Sequence, residues 1–324
     1  MVEVGIPVWH ARETLPDALD SLVAQTHKNF IVCLSIDGDE DDYSDIIETY
    51  RGRGLHIRVI NAKENGGPGV ARQRVLDTTQ CDYIMFLDSD DMFMPRTVHI
   101  LYTQAKSGDY DIIRSSFIRE EKNKQDLYLP QNAATITWFH GKIYKVKYLK
   151  DNDIRFHPDL RTDEDAYFNL VAWNSTNKRG ELSEATYVWR HNDNSITRAK
   201  STRQYFMETY MYYIGSQVYG LKKLAELNEE MNGSLVTQTL IHIYSYYMHA
   251  RFYQMDETDM INLISTLKEE DWLQAYLDEG ANWIDIVKNL HAGDIYDQEY
   301  VVFYEEPFNI WANRLLRRDQ SSNS

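Results

Sequence analysis

The sequence is short of several things, and each shortage removes a class of explanation. Cysteine occurs only twice in 324 residues, as Cys33 and Cys81. Both lie in or beside apolar runs, which suits small buried thiols and gives no sign of a disulfide framework or a zinc site. A reducing, cytoplasmic compartment is therefore expected. No apolar run approaches the roughly 20 residues needed to span a bilayer. The opening Met1–Gly5 has neither a basic start nor a long apolar stretch, so neither a transmembrane segment nor a signal peptide is expected. Positive charge is scarce: 34 Lys and Arg stand against 50 Asp and Glu, a formal net charge of −16. Such a chain is ill suited to tracking a phosphate backbone or lying on an anionic membrane, so nucleic acid is disfavoured as a partner. Internal repeats and low-complexity tracts are also missing.

What the chain does have is alternation. Val2 to Val8 is strand-like. Glu13 to Ala24 places Leu15, Leu19, Leu22 and Val23 on one helical face. Phe30 to Ile36 is a continuous apolar run, as expected of a strand buried on both faces of a parallel sheet. Tyr43 to Tyr50 reads as a helix, His56 to Ile60 as a strand, and Val70 to Thr78 as a helix entered from a glycine turn. Tyr83 to Leu87, Thr97 to Ser107 and Ile112 to Phe117 continue as strand, helix and strand. This order predicts an α/β fold with a Rossmann-like, doubly wound sheet over residues 1–200. Residues 201–318 change character: they are rich in Tyr, Met, Leu and acids and are read as a helical C-terminal region, with 319–324 as a polar tail.

In doubly wound sheets, ligands gather beyond the carboxyl ends of the strands. The residues just past three of these strands are Asp37-Gly38-Asp39, Asn65-Gly66-Gly67 and Asp88-Ser89-Asp90-Asp91. Acids and glycines recur at that one edge. Asp88 and Asp90, two apart in extended backbone, project to the same side. Paired carboxylates suit Mg²⁺ or Mn²⁺, which can bridge a diphosphate and neutralise it as it leaves. The plainer alternative is an acidic turn capping the next helix. Arg72, in the first turn of the glycine-entered helix, can meet a diphosphate or the neighbouring acids.

Several ordered motifs together resemble the inverting family-two glycosyltransferases of the GT-A fold. They are Gly5-Ile6-Pro7-Val8, Leu22-Val23-Ala24-Gln25-Thr26 with Asn29-Phe30, Ile36-Asp37-Gly38-Asp39, Glu64-Asn65-Gly66-Gly67 with Ala71-Arg72-Gln73, and Phe86 to Asp91. Gly141-Lys142-Ile143-Tyr144-Lys145, Asp163-Glu164-Asp165 and Trp189-Arg190 through Ser195-Ile196-Thr197 follow in the same order. The resemblance implies a nucleotide-sugar donor, a UDP-sugar, and an acceptor hydroxyl on a glycan. It implies that Pro7 and Val8 line the nucleoside pocket, that Asp37 accepts the uracil N3–H, and that Asn65, Arg72 and Ser89 lie against the donor. Asp88 and Asp90 would hold the ribose and a Mn²⁺ or Mg²⁺ ion, with Asp91 behind them. Asp165 would be the general base and Glu164 would position it or the acceptor. His191 stands one residue before the place where the family often has a histidine, and it is the remaining metal-ligand candidate. Independently of the resemblance, Trp138 and His140 could floor the sugar or acceptor, since an aromatic face suits a sugar ring, and a core position is the equal alternative for Trp138. The helical region is expected to bind acceptor or to form a homodimer.

Two rival readings weigh less. A sugar nucleotidyltransferase would open with a glycine-rich phosphate loop, where this chain has Pro7 to Arg12 without glycine. A non-catalytic nucleotide-sugar-binding or scaffold protein would not need the acids at 88, 90 and 165.

Overall fold

Apolar runs that alternate with amphipathic ones fold here as strands that alternate with helices. The computed structural model describes residues 1–121, 127–131, 137–192, 202–278 and 308–318. The chain divides into two units, Met1–Ala199 and Lys200–Ser324.

The first unit runs β1 (Val2–Val8), α1 (Leu15–Val23), β2 (Phe30–Asp37), α2 (Ser44–Gly52), β3 (His56–Ala62), α3 (Pro68–Thr78), β4 (Tyr83–Phe86), β5 (Met92–Phe93) and α4 (Thr97–Ser107). It continues with β6 (Ile112–Glu121), β7 (Leu127–Gln131), β8 (Lys142–Lys145), α5 (Val146–Asp151), α6 (Glu164–Asn174) and β9 (Arg179–Trp189). Among the described residues the sheet has nine strands in the order β3-β2-β1-β4-β8-β6-β9-β5, with β7 on β6. β1 to β4 pair in parallel. β8 is antiparallel to both β4 and β6, while β6 and β9 run parallel across a register shift at Ser115–Phe117. The sheet is thus mixed.

β1 and β2 are buried almost throughout, which explains their largely apolar sequence; the exception in β1, Glu3, is buried and paired with Arg58. Leu15, Ala18, Leu19 and Leu22 of α1 are fully buried at helical spacing against the sheet. β2 and β4 flank β1 on opposite sides, so the strand order reverses between β1 and β4, and in such sheets ligands bind beyond the carboxyl ends of the strands at that point. The residues after these strands therefore converge on one edge.

Gly38 follows β2 with φ +67°, and a Cβ there would lie 2.3 Å from the Asn65 amide nitrogen and 2.4 Å from the Glu64 carbonyl carbon. The β2–α2 and β3–α3 loops touch backbone to backbone at this point. Gly38→Ala is expected to cost about 3 kcal/mol, from the left-handed backbone plus the overlap. A urea midpoint unchanged from the parent would contradict that contact.

The second unit is helical throughout its described residues: α7 (Thr202–Leu227), α8 (Gly233–Phe252), α9 (Thr258–Ser265), a 3₁₀ turn (Thr266–Glu269), α10 (Asp271–Asp278) and α11 (Phe308–Leu316). Ile214, Val218 and Leu221 of α7 pack with Leu240, Tyr244 and Tyr247 of α8 and with Trp311 in one core. The basic cluster at the end of α11 is neutralised inside this unit, with Arg317 on Asp278 at 2.7 Å and Arg318 on Asp271 at 2.8 Å. No described helix is long and apolar enough to cross a membrane. Cys33 and Cys81 are both buried and unpaired with each other. Ser195 to Thr197 and the tail 319–324 lie outside the described residues.

Candidate active site

The turn after β4 carries the acids. The Asp91 N–H donates to the Asp88 carbonyl at 3.1 Å, closing a tight turn that leaves Asp88, Ser89 and Asp90 half-exposed at its tip. Asp91 points inward and is buried. Its carboxylate accepts from the Tyr187 hydroxyl at 2.6 Å and from the Arg190 N–H at 2.8 Å. Asp91 therefore ties the turn to β9, and burial together with the charges of Asp90 and Asp88 pushes its pKa well up.

Arg72 reaches this turn from α3. It is buried, and its guanidinium donates to Asp88 at 2.5 Å and to Glu164 at 2.6 Å. The same group lies 4.7 Å over the Phe139 ring. Arg72 thus pairs with both neighbouring acids, Asp88 and Glu164. Glu164 and Asp165 occupy the first turn of α6, which the chain enters through Asp163 at φ +56°. Gly69 lets that turn come close: a Cβ at position 69 would lie 2.9 Å from the Glu164 Cγ. The Asp165 carboxylate accepts from the Ala166 N–H at 2.8 Å. Burial and the neighbouring Glu164 push its pKa up to about 7.

Asp37 belongs to a separate group at the end of β2. It is buried, and its carboxylate accepts from the Gly66 N–H at 3.1 and 3.0 Å, from the Gly67 N–H at 2.8 Å, and from the Arg74 guanidinium. It thus caps the amino end of α3, whose own N-cap residue, Gly67, has no side chain to do so. Asn65, on the same loop, donates to the Asp37 carbonyl at 3.1 Å. Pro7 is half-buried and Val8 buried at the end of β1.

Other side chains complete the acid turn. Asn192 donates to the Asp90 carboxylate at 2.9 Å, while His191 is anchored by its own N–H on Glu120 at 2.9 Å. His140 is buried and stacks on Tyr187 with ring centroids 4.6 Å apart. Burial lowers its pKa to about 3, so it stays neutral at ordinary pH. Among the described residues, Asp88, Asp91 and His140 offer ligand atoms that all lie within 4.8 Å of one another. Of this group, Asp88 is paired with the buried Arg72, which also holds Glu164. The excess of carboxylates, and the upward push that Asp88 and Asp90 exert on Asp91, fit a site that takes a divalent cation.

Sequence reasoning assigned no role to Arg74, Tyr187 or Lys142. Arg74 is two residues from Arg72, and spacing alone does not place both at one strand edge. Tyr187 lies on β9, where it and its neighbour Thr186 are the two buried positions, and no alternation in the sequence singles it out. Lys142 lies within the Gly141–Lys145 motif and is buried with its amine donating to the Trp138 carbonyl. Burial lowers its pKa to about 7, against the opposing pull of Asp165.

The family model for glycosyl transferase family 2 matches residues 3–161. The uncharacterized glycosyltransferase EpsJ of Bacillus subtilis (strain 168) is 26% identical over 217 residues, covering 61% of this chain and 63% of EpsJ. The poly(ribitol-phosphate) beta-N-acetylglucosaminyltransferase TarS of Staphylococcus aureus (strain Mu50 / ATCC 700699) is 26% identical over 200 residues, 57% of this chain and 35% of TarS. The chain thus spans less than two thirds of the length of both curated relatives. The fold superposes on a crystal structure of S. aureus TarS in complex with UDP-GlcNAc with a TM-score of 0.63 at 21% identity, over 85% of this chain and 81% of that one.

Proposed function

The N-terminal unit belongs to glycosyl transferase family 2, and from this we propose that the protein transfers a sugar from a UDP-sugar to an acceptor hydroxyl with inversion at the anomeric carbon. The observation that carries the proposal is the buried chain Glu164–Arg72–Asp88. It ties the helix turn bearing a carboxylate with a pKa near 7 to the acid turn at the ligand edge of the sheet.

Asp165 is the general base. It accepts the proton of the acceptor hydroxyl as that oxygen bonds to the anomeric carbon, while the bond to the donor diphosphate breaks and its electron pair leaves with UDP. Glu164, fixed by Arg72, sets the orientation of the turn. Asp88 and Asp90 would hold a Mn²⁺ or Mg²⁺ ion, with His191 a further candidate ligand; the ion would neutralise the departing diphosphate. Pro7, Val8, Asn65, Arg72 and Ser89 line the donor side. Asp37 serves the uracil by sharing. The Gly66 N–H is split between its two oxygens, and settling on one of them opens a lone pair to the base N3–H.

The test is release of nucleotide from a panel of UDP-, GDP-, dTDP- and CMP-sugars with Mn²⁺, Mg²⁺ or chelator. Release from one UDP-sugar, abolished by chelator, is expected. Asp90→Asn is expected to weaken Mn²⁺-dependent UDP binding by at least about tenfold, or about 1.4 kcal/mol. No calorimetric affinity for UDP with Mn²⁺ in the parent protein would refute the proposal.

A further inference from the structure

We propose that the Tyr187 hydroxyl is a positioning group for the divalent-ion site. By bonding to the Asp88 N–H and the Asp91 carboxylate together, it holds the acid turn in the shape that presents Asp88 and Asp90, and so sets the affinity for the ion. The inference rests on the proposed transferase function and adds a residue to the donor side of the same site.

Tyr187 reaches the turn because the sheet puts it there. β5 follows Asp91 directly and pairs antiparallel with β9, with Met92 opposite Val188 and Phe93 opposite Tyr187. The Met94 N–H donates to the Thr186 carbonyl at 3.0 Å and extends that contact. The Tyr187 side chain is buried. Its ring stacks on His140 at an interplanar angle of 27° and meets Phe93 edge-on at 63°. A ring packed on two sides holds its hydroxyl at a fixed point, as a positioning group must. A phenylalanine would fill the same space, so packing alone gives the hydroxyl no purpose.

The hydroxyl uses its donor and an acceptor site at once. Its O–H donates to Asp91 Oδ2 at 2.6 Å, and its oxygen accepts from the Asp88 N–H at 3.3 Å. The other oxygen of Asp91 accepts from the Arg190 N–H at 2.8 Å. Both carboxylate oxygens of Asp91 are therefore bonded to β9 or to the residue that follows it. Asp91 is turned inward with 2% of its side chain exposed, whereas Asp88 keeps 34%. Asp88, Asp90 and Asp91 crowd three carboxylates into one turn, and like charges at this spacing repel. An unbraced turn would spread and would have to be gathered again around the ion. Tyr187 is the brace: it fixes the backbone at Asp88 and keeps Asp91 behind the tip. Removing a hydrogen-bond partner that stands behind metal ligands commonly weakens metal binding by about 10–100-fold.

The experiment uses the full chain and Tyr187→Phe, which keeps the ring and removes the hydroxyl. Mn²⁺ binding is followed by electron paramagnetic resonance of the free ion in the presence of UDP, UDP binding by calorimetry, and folding by urea titration without metal. The Kd for Mn²⁺ is expected to rise about tenfold. Excess Mn²⁺ should bring the UDP affinity back to within about twofold of the parent, because only the metal step is weakened. A defect of packing alone would lower the urea midpoint and leave the Mn²⁺ Kd of the folded protein where it was. Asp91→Asn puts an amide nitrogen where one accepting oxygen stood, and gives a second route to the same bond. It should also raise the Mn²⁺ Kd, and the double variant should bind no more than about twofold more weakly than the poorer single one. A Mn²⁺ Kd unmoved by either substitution, full additivity of the two, or a loss of UDP affinity that excess Mn²⁺ leaves in place would overturn the inference with the transferase function intact. A parent that binds neither Mn²⁺ nor UDP would remove the function and this inference with it.

Discussion

Asp165→Asn is expected to lower kcat by about 10²–10⁴-fold, the usual contribution of a positioned general base, while UDP affinity stays within about twofold. The amide keeps the size of the carboxyl and cannot take the acceptor's proton. In the parent enzyme kcat/KM should fall on the acid side with a midpoint near pH 7, because burial and Glu164 push Asp165 up to about 7. Protonation below that value removes the base. The residual activity of the Asn variant should lack this limb. Stability should show the opposite trend. A folded-state pKa raised above the ordinary 3.8 means that the folded chain holds the proton more tightly. That contribution is fully present below the unfolded value and is lost as pH rises through about 7. Asp165→Asn should therefore gain stability relative to the parent as pH rises from about 4 to about 7, the interval between the two pKa values, and the gain should level off above that. Equal loss of UDP binding and of transfer would move Asp165 out of the base role.

Arg72→Met should be the most destabilising substitution at the site, by about 3–5 kcal/mol, the range seen when one partner of a buried ion pair is removed. Glu164 is buried and Asp88 partly so, so the change leaves carboxylates without their cation. Methionine fills much of the lost stem and keeps contact with Phe139. Most of the cost is then electrostatic, and Glu164→Gln in the Arg72→Met background should recover more than about 1 kcal/mol. Urea titration of the four proteins in the cycle tests this. Strict additivity would show that Arg72 and Glu164 are not energetically paired. Transfer by Arg72→Met should also fall, because the base-bearing turn loses its tie to the acids at Asp88.

Within the half of the sheet built from β1 to β4, β1, β2 and β4 were legible because they are buried on both faces and largely apolar, while the edge strand β3 was read from its Ile57, Val59 and Ile60. The converging acids and glycines followed from the ligand-edge rule for that kind of sheet. The other half was harder to read. β5 has two residues, β8 has four, and β9 is exposed or half-buried except at Thr186 and Tyr187, with charged residues at Glu181 and Glu184. Short or one-sided strands leave weak periodic signals. Strand ends also drifted: β3 runs two residues beyond Ile60 and β6 reaches Glu121. Arg72, Asp88 and Glu164 were singled out separately, yet their contact joins positions 72 and 164 across 92 residues. Nothing local in a sequence encodes such a contact. The partner of Asp90 is a similar case: the geometry brings Asn192 onto its carboxylate, although the adjacent His191 carried the chemical interest.

Gly69 acts as a ruler. Its missing side chain sets how near the first turn of α6, with Glu164 and Asp165, stands to α3, since a Cβ there would sit 2.9 Å from the Glu164 Cγ. On the proposed mechanism, one methyl group at this position would be a wedge between the helix that carries Arg72 and the turn that carries the base, leaving both substrates bound but held too far apart to react. Changes at position 69 would then tune the rate of transfer independently of the affinity for either substrate.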